Sequence, residues 1–305
     1  MAQGLVHRIL DSDVWWSFRR SKVTVVAAAV TAIMILSAVF ATQLAPQNPF
    51  DPGSLLLMDS FTPPVWEQGG SAKYLLGTDS QGRDLLSAIL YGARVSLIVG
   101  FASVLLAMTI GITLGVIAGY VGGTVDAVIM RIAEVQLSFP TVLVALLING
   151  VARGVLSPER QLNLAIYVLI FSIGLSAWVQ FARTVRGSTL VERNKEYVQA
   201  ARVIGLPPLA IMFRHVLPNV LGPVLVIGTI NLAVAILNEA TLSFLGIGAP
   251  PTQPSLGTLI RIGNDFLFSG EWWMTIFPGA ALVIMVLAVN LLGDWLRDAL
   301  NPKLR

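Results

Sequence analysis

Few residues of this 305-residue chain have the chemistry of a catalytic or metal site, and their spacing supports neither. The chain has no cysteine, which excludes disulfides and thiolate metal sites. Its two histidines, His7 and His215, lie more than 200 positions apart and cannot form a zinc site without carboxylate ligands. Without a Ser-His-Asp or Cys-His set, the sequence offers no machinery for enzymatic chemistry.

The segment GTDSQGRD, residues 77–84, has the glycine spacing of a phosphate-binding loop. Such a loop needs Lys and then Ser or Thr after its second glycine, but Arg83 and Asp84 hold those positions. The carboxylates of Asp79 and Asp84 would also repel phosphate. We therefore interpret the segment as a turn in which Asp79 or Ser80 caps a helix.

Asn231, Asn238 and Glu239 lie inside the fifth long apolar segment of the chain, and Asn290 lies inside the sixth. Polar groups at membrane depth are costly, so they face either protein or water. We expect these four to line a translocation path, with Glu239 in a wet cavity. Hydrogen bonding between helices is the alternative for each asparagine.

The elements around these residues are those of a polytopic membrane protein. The chain is 55% hydrophobic and only 12% charged, whereas soluble domains are roughly 25% charged. A net charge of +3 gives no indication of a nucleic-acid partner. Crossing about 30 Å of hydrocarbon takes about 20 apolar residues. Six runs qualify: Val23 to Ala45, Val95 to Tyr120, Thr124 to Ala152, Leu162 to Ala182, Val220 to Phe244 and Met274 to Leu296.

The first apolar run is interpreted as a membrane anchor, because its 23 residues exceed the 7–15 of a signal-peptide core and no clear cleavage site follows. Alternating six spans from an inside N-terminus places 14 of the 20 Lys and Arg residues on the inner side. The positive-inside rule then predicts that both termini are cytoplasmic. Trp15 and Trp16, next to Arg19 and Arg20, predict a helix that lies on the inner membrane surface.

Helix packing can also be predicted from small residues and prolines. Gly111, Gly115 and Gly119 repeat every four residues on the second span, a spacing that lets another helix approach closely. Pro140 in the third span and Pro278 in the sixth are expected to kink or start helices.

A polar segment, EYVQAARVIGLPPLAIMFRHVLPN, separates the fourth and fifth spans. Gly205 suits the end of a helix from Leu190 to Ile204, Pro207 and Pro208 suit the start of a second short helix, and Pro218 suits the start of the next span. The sequence therefore predicts two short cytoplasmic helices with a sharp elbow. Their apolar faces are Tyr197, Ala200, Ala201 and Ile204, and Leu209, Met212, Phe213 and Val216. Such faces need a groove, either under this chain's own bundle or in another protein.

This polar segment resembles the EAA loop of ABC-importer permeases. Gln199-Ala200-Ala201, Gly205 and Leu217-Pro218 match the family pattern, with Gln199 in place of the family's Glu. The resemblance implies that residues 183–219 form a coupling loop that docks into a cleft on a cytoplasmic ATPase. An ion pair at Gln199 is excluded, while a hydrogen bond is not. The implied coupling residues are Glu196, Tyr197, Gln199, Ala200, Ala201, Gly205, Leu206, Pro208, Met212, Arg214 and His215.

Residues 75–97, 242–259 and 277–305 resemble the C-type permease of dipeptide, oligopeptide and nickel importers, and residues 62–84 resemble most the dipeptide branch. The resemblance implies a type I ABC-importer permease fold in the bacterial inner membrane. Its implied parts are an inner segment 1–22, a span 23–45, an extracytoplasmic loop 46–94, a five-helix core 95–296 and a cytoplasmic tail 297–305. Implied partners are a B-type permease, two ATPase subunits, an extracytoplasmic peptide-binding protein and membrane lipid.

Two classes of function are consistent with this sequence. The first is half of the translocation path of an ATP-driven importer of dipeptides, with no cofactor in this chain and with ATP and Mg²⁺ bound by the ATPase partners. Oligopeptides, glutathione, haem or chelated nickel are alternative cargoes. The second class is a secondary transporter or channel. Such proteins commonly carry internal repeats and intramembrane Asp, Glu or His relays, and neither is apparent in the sequence.

Overall fold

A computed structural model describes residues 13–51, 53 and 55–299 of the chain. Every regular element in these residues is helical, and their only β pairing is one bridge between Thr78 and Asp84. The predicted all-α fold is confirmed. Expectations for His7, Arg8, the side chain of Trp15, Lys303 and Arg305 fall outside the described residues.

The described chain folds into twelve α-helices. They are α1 Asp13–Arg20, α2 Lys22–Val39, α3 Ala41–Leu44, α4 Leu85–Val121, α5 Gly123–Leu137, α6 Thr141–Val155, α7 Pro158–Glu192, α8 Glu196–Val203, α9 Pro208–Ile211, α10 Leu217–Phe244, α11 Leu256–Asn264 and α12 Trp273–Ala299. Single 3₁₀ turns lie at Leu57–Asp59 and Leu267–Ser269, and a π-helical turn, Met212–Val216, joins α9 to α10.

Five of the described stretches are long and apolar enough to cross a membrane: α2, α4, α7, α12 and the continuous stretch from α9 to α10. The predicted third span is instead two helices, α5 and α6, bent by 95° at Pro140, and these give a sixth span only if the pair counts as one. A proline disfavours helical backbone at the preceding residue, which explains why α5 ends before Pro140. The bend is much sharper than the predicted kink.

The second span begins ten residues before the predicted Val95, at Leu85. Its N-cap is Asp84, whose carboxylate accepts hydrogen bonds from the Ser87 N–H at 2.8 Å and the Ser87 hydroxyl at 2.5 Å. The prediction that Asp79 or Ser80 caps this helix is therefore wrong. The Asp79 carboxylate instead accepts the N–H groups of Gln81 and Arg83, at 2.8 and 3.0 Å, and closes the turn ahead of the helix.

A short helix, α1, occupies the segment for which a membrane-surface helix was expected. Trp16 is exposed, and the Arg20 guanidinium lies 5.0 Å from the centre of its ring. Phe18 packs edge-on against Trp295, with ring centres 5.1 Å apart. The start of the described chain is therefore held against the end of α12.

The centre of the bundle is a seam between α4 and α7 at which the two backbones touch. A Cβ atom added to Gly111 would lie 2.4 Å from the Cβ of Phe181, and one added to Gly115 would lie 2.6 Å from the carbonyl oxygen of Ala182. A Cβ on Gly119 would lie 2.6 Å from the Cβ of Thr189. These separations are too short for any side chain, so the three glycines are contact positions along about two turns of helix.

Candidate functional site

The elbow between α8 and α9 ends α8 in a Schellman motif. The Leu206 N–H donates to the Ala201 carbonyl at 3.1 Å, and the Gly205 N–H donates to the Arg202 carbonyl at 3.0 Å. Gly205 has φ +84°, the left-handed conformation that a glycine at C′ adopts. Pro208 occupies the first turn of α9, as predicted.

The predicted first helix, Leu190 to Ile204, is divided in two. Helix α7 runs on to Glu192, and α8 begins only at Glu196. The Asn194 side-chain amide donates to the Leu190 carbonyl at 3.0 Å, which satisfies a carbonyl at the end of α7. Lys195 is extended, with φ −74° and ψ 152°, so the chain changes direction there before α8 begins.

The predicted second short helix is the start of the fifth span. Helix α9, the π-helical turn and α10 follow one another without a break. At the junction the Leu217 N–H bonds to the Met212 carbonyl, five residues back. Pro218 has no N–H and its ring would clash with the carbonyl four residues earlier, so a widened turn accommodates it. A single corner, at Gly205, therefore connects α8 to a helix that crosses the membrane.

The inner face of this hairpin packs against the chain's own bundle. Val198 and Ala201 of α8 are buried, as are Ile211, Met212 and Val216 after the corner, and all five belong to one core with α4, α7 and α10. Ala201 and Met212, expected among the coupling residues, thus present their side chains to this chain. They can position the hairpin but cannot offer a side chain to another protein.

The outer face of the same corner is apolar and uncovered. We call Val203, Ile204, Leu206, Leu209 and Phe213 the elbow surface; their exposure ranges from 38% to 87%. Contiguous exposed apolar residues of this kind mark interaction sites. Val203 and Leu206 were absent from the predicted apolar faces. Val203 is the last residue of α8, and Leu206 lies in the corner, where the period of neither helix applies.

Arginines hold the hairpin against the C-terminal end of α4. The Arg193 guanidinium donates to the Gly119 carbonyl at 2.9 Å. Arg202 donates to the Tyr120 hydroxyl at 3.3 Å and lies 4.9 Å from the centre of that ring. The sequence analysis did not single out either arginine. It only counted both among the Lys and Arg residues expected on the inner side.

Tyr197 connects three helices at the base of the hairpin. Its hydroxyl donates to the Glu192 carboxylate at 2.5 Å and accepts from the Asn219 amide at 3.1 Å. Partial burial, and then the hydrogen bond to Glu192, raise the pKa of Tyr197 to about 12. The neutral hydroxyl is therefore the form that bridges the end of α7, the start of α8 and the start of α10.

The other expected coupling residues lie around the elbow surface. Gln199 is exposed, and its amide donates to the Arg193 carbonyl at 3.3 Å, within the hairpin. His215 is half-buried, and its Nδ1 has no hydrogen-bond partner among the described residues. The exposed ones are Glu196, Ala200, Gly205, Pro208 and Arg214.

Asn231 and Asn238 lie on a small polar cavity in the middle of the bundle. Ser103, Thr141 and Gln180 from α4, α6 and α7 complete its polar lining. The cavity has a volume of about 30 Å³, which is room for about one water molecule and far too little for a peptide. The two asparagines thus share one polar surface in a closed arrangement of the helices.

Glu239 does not lie in a wet cavity, and that prediction is corrected. Its side chain is fully buried, at 0% exposure. The hydroxyls of Ser96 and Ser243 donate to its two carboxylate oxygens, at 2.7 and 2.6 Å. Serine hydroxyls replace the expected water, so Glu239 joins α4 to α10 as a structural group. Asn290 is half-buried on α12 and lines neither this small cavity nor the larger one described below.

The Glu239 network extends toward the end of the bundle opposite the elbow. The Ser96 hydroxyl also accepts the Leu256 N–H at 3.3 Å, at the start of α11. The Ser243 hydroxyl accepts the Ala249 N–H at 3.1 Å, in the loop that precedes α11. One carboxylate therefore organises three elements.

Comparison with known proteins identifies the family of this chain. Residues 111–305 match the family described as "Binding-protein-dependent transport system inner membrane component", and residues 12–64 match the "N-terminal TM domain of oligopeptide transport permease C". The di/tripeptide transport system permease protein DppC of Pseudomonas aeruginosa is 38% identical, over 99% of this chain and 95% of that protein. The dipeptide transport system permease protein DppC of Escherichia coli K12 is 41% identical, over 96% and 93%.

Two solved structures of inward-facing conformations of the MetNI methionine ABC transporter share the fold. Their chains superpose with TM-scores of 0.53 and 0.54, at 19% and 22% identity, and each match covers 71% of this chain and 98% of the other. The chain belongs to the family of binding-protein-dependent transport system inner membrane components, the permease subunits of ABC importers.

Proposed function

We propose that this chain is one of the two permease subunits of an ATP-driven importer of small peptides, with dipeptides as its cargo. Two relatives named for dipeptide and di/tripeptide transport match it over nearly their whole length. In this proposal the chain forms half of the translocation path. ATP and Mg²⁺ are bound by two cytoplasmic ATPase subunits, a B-type permease supplies the other half, and an extracytoplasmic binding protein delivers the peptide.

The observation that carries the coupling part of the proposal is the elbow surface. It is apolar and exposed on its outer face, while its inner face is packed into the bundle. A hairpin that only covered its own bundle would need no second apolar face. We propose that this second face fills a cleft on an ATPase subunit, in the way that an apolar helix end fills a groove.

The seating of the hairpin makes it suitable to transmit force. Coupling requires that the state of the ATPase change the free-energy difference between inward-facing and outward-facing permease. A loosely attached loop could not impose such a difference. Here the corner is continuous with the fifth span, Arg193 and Arg202 hold it to α4, and Tyr197 holds it to α7 and α10.

The test is the substitution Phe213→Asp, which places a charge in the elbow surface. Its matched control is Phe268→Asp, because Phe268 is also exposed but lies on the turn between α11 and α12, at the end of the bundle away from the elbow. We expect Phe213→Asp to reduce co-purification of the ATPase subunits and peptide uptake by at least about tenfold, as loss of a central apolar contact does. Unchanged co-purification and uptake would refute the coupling role.

The orientation of the chain is part of the proposal. Both termini are placed in the cytoplasm, and the loop before α4 is placed outside. Reporter fusions after Arg186 and after Lys303 should then report cytoplasm, and a fusion near Gln68 should report the exterior. A cytoplasmic signal at Gln68 would contradict this topology.

A further inference from the structure

A second, larger cavity lies at the end of the bundle opposite the elbow. It has a volume of about 350 Å³ and is formed by α6, the start of α7, the end of α10, the loop that leads to α11, and α11 itself. This volume lies in the range of cavities that bind small molecules. Because α7 ends, and α10 begins, at the elbow, the opposite ends of both helices place this cavity on the extracytoplasmic side of the proposed topology.

The charged residues that line this cavity are both positive. Arg153 and Arg261 are the only ionisable residues among those that line it. Neither forms an ion pair within 4.0 Å with an acid in the part of the chain that the structure describes. The remaining polar lining comes from neutral groups, among them Asn149, Gln161 and Thr258.

The two guanidinium groups converge on one residue, Gly246. Arg153 Nη2 donates to the Gly246 carbonyl at 3.2 Å. Arg261 Nη1 lies 2.4 Å from the position that a Cβ on Gly246 would take, and the φ of +80° at Gly246 disfavours a side chain there. Both guanidinium groups therefore lie against Gly246, and an anion that contacts both would be attracted by two positive charges.

The neutral partners in this cavity already use their amides and hydroxyls within the protein. Asn149 donates to the Ile247 carbonyl at 3.0 Å, Gln161 donates to the Arg153 and Leu156 carbonyls at 2.8 and 2.9 Å, and Thr258 donates to the Ala249 carbonyl at 3.2 Å. The hydrogen-bond donors left to meet an anion are therefore mainly the guanidinium N–H groups. Guanidinium groups bind carboxylates with paired, charge-assisted hydrogen bonds.

The cavity lies in line with the small polar cavity that contains Asn231 and Asn238. Helix α7 contributes residues 161–168 to the outer cavity and 173–180 to the inner one. Helix α10 contributes Ser243 to the outer cavity and Asn238 to the inner one. On both helices the two sets are five residues apart, which is roughly 7.5 Å along the helix axis.

We propose that the outer cavity binds the C-terminal carboxylate of a peptide before the peptide moves inward, with Arg153 and Arg261 as the binding residues. The peptide as ligand rests on the proposed function. Since no carboxylate lines the cavity to receive an ammonium group, the site selects the carboxylate end of the peptide. A C-terminal amide lacks the charge that the two arginines recognise.

The test measures binding directly. Labelled dialanine and its C-terminal amide are titrated into the permease and ATPase complex in phosphatidylcholine nanodiscs, without the binding protein. We expect dialanine to bind at least about tenfold more tightly than the amide, and Arg153→Gln with Arg261→Gln to abolish that preference. Arg160→Gln is the matched control, because Arg160 is exposed at the same end of the bundle but lines neither cavity.

Three results would overturn the inference: no binding of dialanine, equal binding of dialanine and its amide, or unchanged binding by the double variant. A dependence on the two arginines that occurs only with phosphatidylglycerol in the nanodiscs would assign the site to a lipid headgroup and would also overturn it. ATP-driven uptake with the binding protein is measured in parallel on the wild-type complex. Binding without uptake would refute the proposed function alone, and uptake with no carboxylate preference in binding would refute the carboxylate site alone.

Discussion

The seam between α4 and α7 and the elbow between α8 and α9 both depend on glycine, but for opposite physical reasons. At Gly115 the backbone conformation is ordinary helix and the space is filled, with the Ala182 carbonyl 2.6 Å from where a Cβ would be. At Gly205 the space is open, with no atom within 4 Å of an added Cβ, and the backbone is left-handed at φ +84°.

The seam and the elbow should therefore respond differently when a side chain replaces the glycine. A side chain in the seam separates two spans and damages the whole bundle. A side chain at the elbow strains one residue and misdirects an exposed surface. Substitutions in the seam should therefore reduce assembly, whereas substitutions at the elbow should leave assembly of the spans intact and reduce coupling.

The largest effect is expected from Gly115→Val. Its Cβ would overlap a backbone carbonyl that cannot move alone, which places the cost at or above the upper end of the roughly 1–3 kcal/mol typical of overpacking. The yield of folded chain after detergent extraction, measured by size-exclusion chromatography, should fall at least about tenfold. Gly187→Val is the control, because Gly187 is also helical, on α7, with nothing within 4 Å. Equal yields for the two variants would show that close contact at Gly115 does not control assembly.

The next largest effect is expected from Glu239→Leu. Like a substitution in the seam, it should reduce stability rather than coupling. The change leaves the buried hydroxyls of Ser96 and Ser243 without their acceptor, at a cost of about 1–3 kcal/mol for each. Thermal unfolding of the purified complex should shift to lower temperature, and Glu239→Gln, which retains one acceptor oxygen, should shift it less. If Glu239→Leu instead lowered only peptide uptake, with unfolding unchanged, Glu239 would be part of the path after all.

Gly205→Val tests the elbow side of the comparison. A valine at positive φ costs roughly 1–2 kcal/mol and meets no neighbour, so membrane insertion should be unaffected. Peptide uptake per ATP hydrolysed should fall several-fold. Gly205→Asn is the control, because asparagine tolerates the left-handed conformation, and its ratio should stay close to that of the wild type. A Gly205→Val complex that assembles poorly would show that the elbow is as structural as the seam.

The smallest effect is expected from Tyr197→Phe, which removes two hydrogen bonds at the base of the elbow but retains the ring. Coupling should decrease by no more than about threefold, because the Arg193 and Arg202 contacts with α4 still hold the hairpin after the two bonds, each worth about 1 kcal/mol, are lost. The pKa of Tyr197 is raised to about 12 from 10.0, so its stabilising effect is fully present below about pH 10 and is lost as the pH rises through 12. Ultraviolet titration should show one tyrosine fewer ionising near pH 12 in the variant, and an unchanged titration would contradict the assigned hydrogen bonds.

The sequence predicted best what depends on local chemistry. The turn at Gly205, the start of α9 at Pro208 and the break near Pro140 follow from the conformational limits of glycine and proline, which act on the nearest residues. The apolar runs located the spans for the same reason, since hydropathy is read along the chain. The Gly111, Gly115 and Gly119 spacing indicated a packing face but not its partner, α7.

Features that depend on contacts between distant residues could not be predicted from the sequence. Whether Glu239 met water or serine depended on Ser96, which is 143 positions away along the chain. Arg153 and Arg261 are 108 positions apart, and only the fold brings both to Gly246. The face of the hairpin that packs inward was unpredictable too, because the segment from α9 through the π-helical turn is apolar on more than one side.

In the proposed complex the elbow surface is seated in an ATPase subunit, and cross-linking can detect that contact. The chain has no cysteine, so Leu209→Cys creates one unique attachment point for a thiol-reactive benzophenone in the elbow surface. Phe268→Cys provides the matched point at the other end of the bundle. In the assembled, active complex, irradiation should join the Leu209→Cys chain to an ATPase subunit and should not join the Phe268→Cys chain to it. If an active complex gave no ATPase adduct with Leu209→Cys, or no more than with Phe268→Cys, the elbow surface would not be the site of ATPase contact.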